Sequence, residues 1–155
     1  MKLWQKRAGV AIVLLLGVSA LWGIIIYRPH EIDKELQASV YRNGEVLQQT
    51  SINILGEVRK RWGSSDVQYD GDFAIAYLTD TCDPDTQAHI EWYDGAEMQS
   101  LIYSNNASYS SFNVKSKIVI DKEMNNIALE LEDGMIIATS REVYDKYNEL
   151  KDNVR

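Results

Sequence analysis

Read as a succession of hydrophobic and polar positions, the chain changes character twice. Ala8 to Tyr27 is an apolar run in which Ser19 is the only strongly polar side chain. A helix of roughly 20 residues spans ~30 Å, the hydrocarbon thickness of a bilayer, so this run predicts a transmembrane anchor over residues 8–27. Lys2, Lys6 and Arg7 precede it and only Arg28 follows, which by the positive-inside rule keeps residues 1–7 in the cytoplasm and places everything after the anchor outside. Trp4 and Tyr27 lie near the two ends, where amphipathic rings prefer the interface. Val18-Ser19-Ala20 carries the small residues after which a signal peptidase cuts. A cleaved signal, however, turns polar soon afterwards, whereas Leu21 to Ile26 continues apolar, so the anchor is expected to be retained.

After Pro29 the stretch "HEIDKELQ" has Ile32 and Leu36 four apart, so residues 28–37 read as a juxtamembrane connector, helical or irregular. From residue 38 the hydrophobic period shortens to two. Asn43-Gly44, Asp94-Gly95 and Asp133-Gly134 each separate β-compatible runs, and these dipeptides supply the positive φ angles of tight hairpins. A two-residue loop at each sets the pairing. Val40 would face Leu47 and Tyr41 would face Val46; Ile90 would face Gln99 and Trp92 would face Glu97. In the third hairpin Leu129 would face Ala138 and Leu131 would face Ile136, giving the two strands one shared apolar face.

Alternation adds two strands. "DFAIAYL" carries Phe73, Ile75 and Tyr77 on one face, and "FNVKSKIVI" carries Phe112, Val114, Ile118 and Ile120 on one face with Lys115 and Lys117 on the other. About eight antiparallel strands, half wet and half packed, must curl into a barrel or sandwich or receive a helix. The helix is available at the end of the chain. Thr139-Ser140-Arg141-Glu142 matches a capping box, and Val143, Tyr147 and Leu150 follow at helical spacing, predicting a helix over 140–151. Residues 38–155 are therefore expected to form one mainly antiparallel β outer domain with a C-terminal α-helix.

The apolar anchor, the "GDFAIAYL" strand and the "MIIATSREVYDKY" strand-to-helix passage together resemble uncharacterised single-pass, membrane-anchored proteins of Gram-positive bacteria. The resemblance implies this architecture and brings no activity, cofactor or functional residue with it.

Charge narrows the partners. Four of the 16 basic residues and none of the 23 acidic ones precede Glu31, so the outer domain is more acidic than the chain's net −7. Nucleic acid, whose phosphates demand a basic stripe, is excluded on this ground, and so is docking to anionic headgroups. The single Cys82 forms no internal disulfide.

Candidate chemistry is sparse. Asp80, Asp83 and Asp85 gather in "DTCDPDT", a weak calcium-type cluster whose spacing fails the EF-hand pattern and suits a turn. His89 and Glu91 share a strand face, which is too few ligands for zinc. Cys82 near His89 lacks a third orienting group, and no nucleophile elbow or phosphate loop occurs. No cofactor is expected. Trp62 in "KRWGSSD", Tyr103 just before "SNNASYSS" and Tyr109 within it are the candidates for an aromatic binding surface.

The expected function is a non-enzymatic extracytoplasmic binding module, held in the cell membrane by residues 8–27, with an envelope protein or wall component as partner. The alternative is an envelope hydrolase using paired carboxylates. A third reading gives the anchor itself the work, through Gly9, Gly17 and Gly23 or Ala20, although these form no G-x-x-x-G.

Overall fold

The computed structural model describes residues 28–60, 64, 66–105 and 112–153. The expected anchor over 8–27 lies outside them. Eight strands follow in chain order: β1 His30–Arg42, β2 Glu45–Lys60, β3 Val67–Ile75, β4 Thr86–Trp92, β5 Gln99–Asn105, β6 Val114–Ile120, β7 Ile127–Leu131 and β8 Ile136–Ala138. A short 3-10 turn, Thr79–Cys82, joins β3 to β4, and the chain ends in helix α1, Arg141–Asn153. Every strand pairs antiparallel with its sequence neighbour. Ser39–Tyr41 of β1 then pairs with Ile136–Ala138 of β8, closing the sheet into a barrel. Closure pairs all of β8 with residues 39–41 of β1, edges that an open meander would leave as templates for aggregation.

The connector expected over 28–37 is for the most part strand. Ile32, Lys34, Leu36, Ala38 and Val40 alternate along the inner side of β1, with Lys34 interrupting the apolar series. Its ammonium reaches past the barrel's end to bond Asn125 Oδ1 at 2.7 Å, so a charged head leaves the interior while its stem stays on the inner face.

An eight-stranded barrel has an interior that side chains can just fill. Tyr69, Phe73, Ile90, Ile118, Leu129 and Ile137 are among the fully buried groups that do so. The polar atoms of the interior aromatics are bonded: Tyr69 Oη donates to Asp72 O at 2.6 Å, Tyr103 Oη to Phe73 O at 2.8 Å and Trp92 Nε1 to Ile120 O at 3.3 Å. Tyr69 has room because Gly56 and Gly71 face one another across β2 and β3. A Cβ on Gly56 would meet the Tyr69 ring at 2.8 Å, and one on Gly71 would come within 2.5 Å of Gly56 Cα. The ring thus occupies space that side chains would take, and bare backbone lets the two strands bend beneath it.

The three hairpins differ from simple two-residue loops in instructive ways. Asn43 and Gly44 both have positive φ, as a tight turn requires, and Tyr41 faces Val46. A bulge then shifts the ladder, so Val40 faces Gln48 and not Leu47. Between β4 and β5 the loop is longer, Tyr93–Met98. The buried Gln99 side chain pins it, accepting from Tyr93 N at 2.9 Å and donating to Ala96 O at 2.6 Å, and Ile90 therefore faces Leu101.

The third hairpin has three loop residues, Glu132 to Gly134, closed by Leu131 N–H to Met135 O at 2.8 Å with Gly134 at φ 85. Leu129 consequently faces Ile137, one position from the expected register. A one-residue slip exchanges faces. Leu129, Leu131, Met135 and Ile137 enter the barrel core, while Ala128, Ile136 and Ala138 look outward.

Those outward residues explain the helix. Tyr41, Val119, Ala128, Ile136 and Ala138 form a second apolar surface, which α1 covers with Val143, Tyr144, Tyr147 and Leu150. Ser140 caps the helix by accepting Val143 N–H at 3.2 Å, while Thr139, one position before, bonds Ile127 N at 3.0 Å instead. Tyr41 and Tyr144 stack with centroids 4.4 Å apart, and Arg141 lies over the Tyr144 ring and donates to Gly44 O at 2.6 Å. The helix start is thereby tied to the first hairpin.

Candidate functional site

A second bulge shapes the outer surface beside α1. Val114 faces Leu131 and Ile118 faces Leu129, so Lys115, Ser116 and Lys117 of β6 stand against Glu130 alone on β7. Extra residues in one strand bow it and re-aim its side chains. The result is a cleft of about 520 Å³ lined by Met98, the three bulge residues, Glu130 and Glu132 of β7, and Tyr147 and Lys151 of α1.

Glu130 lies on the side of β7 that faces α1 and is 2% exposed. Its Oε1 accepts from Lys151 Nζ at 2.6 Å and from Lys115 Nζ at 2.9 Å, and Tyr147 Oη donates to Oε2 at 3.5 Å. Burial alone would raise its pKa, but the bonds and charges of the two ammonium groups outweigh burial and hold it below the usual carboxylate range. Burial, followed by the Glu130 charge, pushes the Tyr147 phenol upward, so Tyr147 remains a donor at neutral pH. The carboxylate stays charged and fixes two cations from different elements at one point.

A second ion cluster stands on the opposite, uncovered wall, where Glu57, Asp70 and His89 lie side by side across β2, β3 and β4. His89 Nδ1 is 2.6 Å from Asp70 Oδ1 and its Nε2 is 3.3 Å from Glu91 Oε1, while Arg59 pairs with Glu57 at 3.3 Å. Tyr93 Oη also donates to Glu91. Partial burial opposes the imidazolium, but the two carboxylate bonds prevail and raise the His89 pKa above 6.5. Both ring nitrogens are engaged, which leaves neither as a base for Cys82.

The residues singled out in the sequence do not meet at one place. Asp80, Asp83 and Asp85 are exposed in and after the 3-10 turn, and Asp83 Oδ1 accepts Asp85 N–H at 2.9 Å, a local turn bond. Among the described residues, no group of three or more His, Cys, Asp or Glu is placed to hold a metal. Tyr103, expected on a binding surface, is buried in the barrel with its ring 5.0 Å from Phe112. Trp62 and Tyr109 lie outside the described residues.

Sequence reasoning had placed Lys115 and Lys117 on one face but missed Glu130, Tyr147, Lys151 and Met98 as a set. The available signal was the single carboxylate within "IALEL" and the i, i+4 spacing of Tyr147 and Lys151.

The site and fold define a closed eight-stranded up-and-down barrel with one packed helix and a charged cleft along their seam. Compared with family models, curated proteins and solved structures, the chain matches none.

Proposed function

We propose that the chain is a binding module of the cell envelope, anchored in the membrane by residues 8–27 with the barrel outside, and that it takes its partner at the β6–α1 cleft. The observation that carries this reading is the cleft itself, about 520 Å³ with Met98 and Tyr147 beside fixed charges. The barrel interior, by contrast, is filled with the protein's own side chains. The apolar run and its cationic N-terminal flank support the anchor and its orientation. An envelope protein or wall component is the partner class. Binding is favoured over carboxylate-based hydrolysis because Glu130, held charged by two ammonium groups, has no proton to lend as a general acid.

The test is photo-crosslinking of the full chain in native membranes, with the reactive residue at Met98 or Ser116 and, as control, at the exposed Gln87 of β4. Discrete adducts from the first two positions alone are expected, on a chain that retains Met1 to Ala20. Identical adducts from all three, or none from the cleft, would overturn the cleft as the site. A mature chain beginning at Leu21 would overturn the anchor.

A further inference from the structure

The cleft's charge runs against that of the molecule. The chain carries net −7, yet the cleft gathers Lys115, Lys117 and Lys151 against Glu130 and Glu132. One buried carboxylate is neutralised by one ammonium. Here two converge on the same oxygen, so the Lys115–Glu130–Lys151 group has an excess positive charge.

Each ammonium has three N–H donors. Glu130 takes one from each lysine, and the two side chains are 40% and 31% exposed, which turns the remaining donors toward open space. Lys117, on the bulge, is exposed and meets no carboxylate among the described residues. Lys115 and Ser116 have no ladder partner in β5 or β7, as expected where a bulge interrupts pairing. A strut that merely fastened α1 to the barrel would need neither the second cation nor the bulge. Beside these donors, Met98 and the Tyr147 ring supply apolar surface.

We infer that the cleft recognises an oxyanion carried on a short apolar stem, the anion held by Lys115, Lys117 and Lys151 and the stem lying against Met98 and Tyr147. The inference rests on the cleft being the binding site and adds the chemistry of what enters it. Ammonium groups act as point charges toward carboxylate and phosphate alike.

The experiment titrates the full chain, in a neutral detergent, with hexanoate, hexyl phosphate and inorganic phosphate, following chemical shifts of Lys115, Lys117 and Lys151. Saturable binding of a hexyl probe is expected, tighter than inorganic phosphate, weakening with salt, and reduced about tenfold in Lys117→Gln. The better hexyl probe tells a carboxylate from a phosphate ligand. Lys117 is exposed, so the variant should unfold at the wild-type temperature, and this is checked in parallel. No saturable binding, or binding equal in wild type and Lys117→Gln, overturns the inference. Cleft-specific crosslinks together with silent anion probes would leave the binding site standing and sink only its proposed chemistry.

Discussion

The two walls of the barrel each carry an ion cluster, but they use it differently. On the wall beneath α1 every residue of β7 and β8 is buried, one face in the barrel core and one against the helix, and Glu130 is held there by two lysines. On the β2–β4 wall only the inner face is packed. Asp70 and His89 stand about one-third exposed among Glu57, Arg59 and Glu91. A carboxylate in the first setting is strongly coupled to its partners, because losing them strands a charge away from water. In the second, solvent can replace any partner. The covered wall therefore links electrostatics to stability, whereas the bare wall is held from inside.

The largest expected effect breaks the covered wall's cluster. Lys115→Met with Lys151→Met keeps the apolar stems and removes both cations, and unfolding in urea should show a loss of about 3–5 kcal/mol at neutral pH. The pH dependence should also invert. In wild type the Glu130 pKa is lowered by folding, so its contribution is present above the unfolded value of 4.5 and lost as pH falls through the folded one. With the lysines gone burial is opposed only by the Tyr147 hydroxyl at 3.5 Å, the folded pKa rises above the unfolded one, and the variant recovers stability as pH falls. A deficit that stayed constant from about pH 7 to about pH 5 would show that Glu130 is not the group responsible.

The next effect tests whether the bare wall is held from within. Gly71→Ala would place a methyl 2.4 Å from Leu55 O and 2.9 Å from Tyr69 Oη, so backbone and ring must shift. A cost of about 1–3 kcal/mol is expected in the same unfolding assay, with a changed near-ultraviolet signal from the displaced tyrosine. Wild-type stability in this variant would mean that the β2–β3 bend is loose.

The smallest effect concerns His89. Its folded pKa lies above 6.5, so its contribution is fully present below the unfolded pKa and lost as pH rises through the folded value. His89→Gln should cost at most ~1 kcal/mol at about pH 5.5, and this pH-dependent part should vanish by about pH 9. A loss as large as that of the lysine pair would erase the distinction between the walls.

The same contrast governs what the sequence could reveal. The barrel's strands and the buried face of α1 followed from period-two alternation, Asn-Gly and Asp-Gly turns, and the spacing of Val143, Tyr147 and Leu150. Alternation works where one face is wet. It fails on β7 and β8, where every residue is buried and the apolar pattern cannot choose between registers; there the three-residue loop decides. The start of β1 was hidden because Lys34 occupies an inner position, making Ile32 and Leu36 look helical. The cleft was hidden for a related reason. A bulge of Lys115 to Lys117 leaves the alternation of β6 intact, so only the pairing with β7 exposes it.

Closure of the barrel by β1 and β8 also sets an order of events during synthesis. The strand made first needs the last strand as its neighbour, and Ser39–Tyr41 has no β8 to pair with until Ala138 has left the ribosome. Pairings so remote in sequence form slowly and leave an open edge while they wait. Release of an incomplete chain would therefore leave a barrel that cannot shut, and truncation just before β8 should be more damaging than its few missing residues suggest.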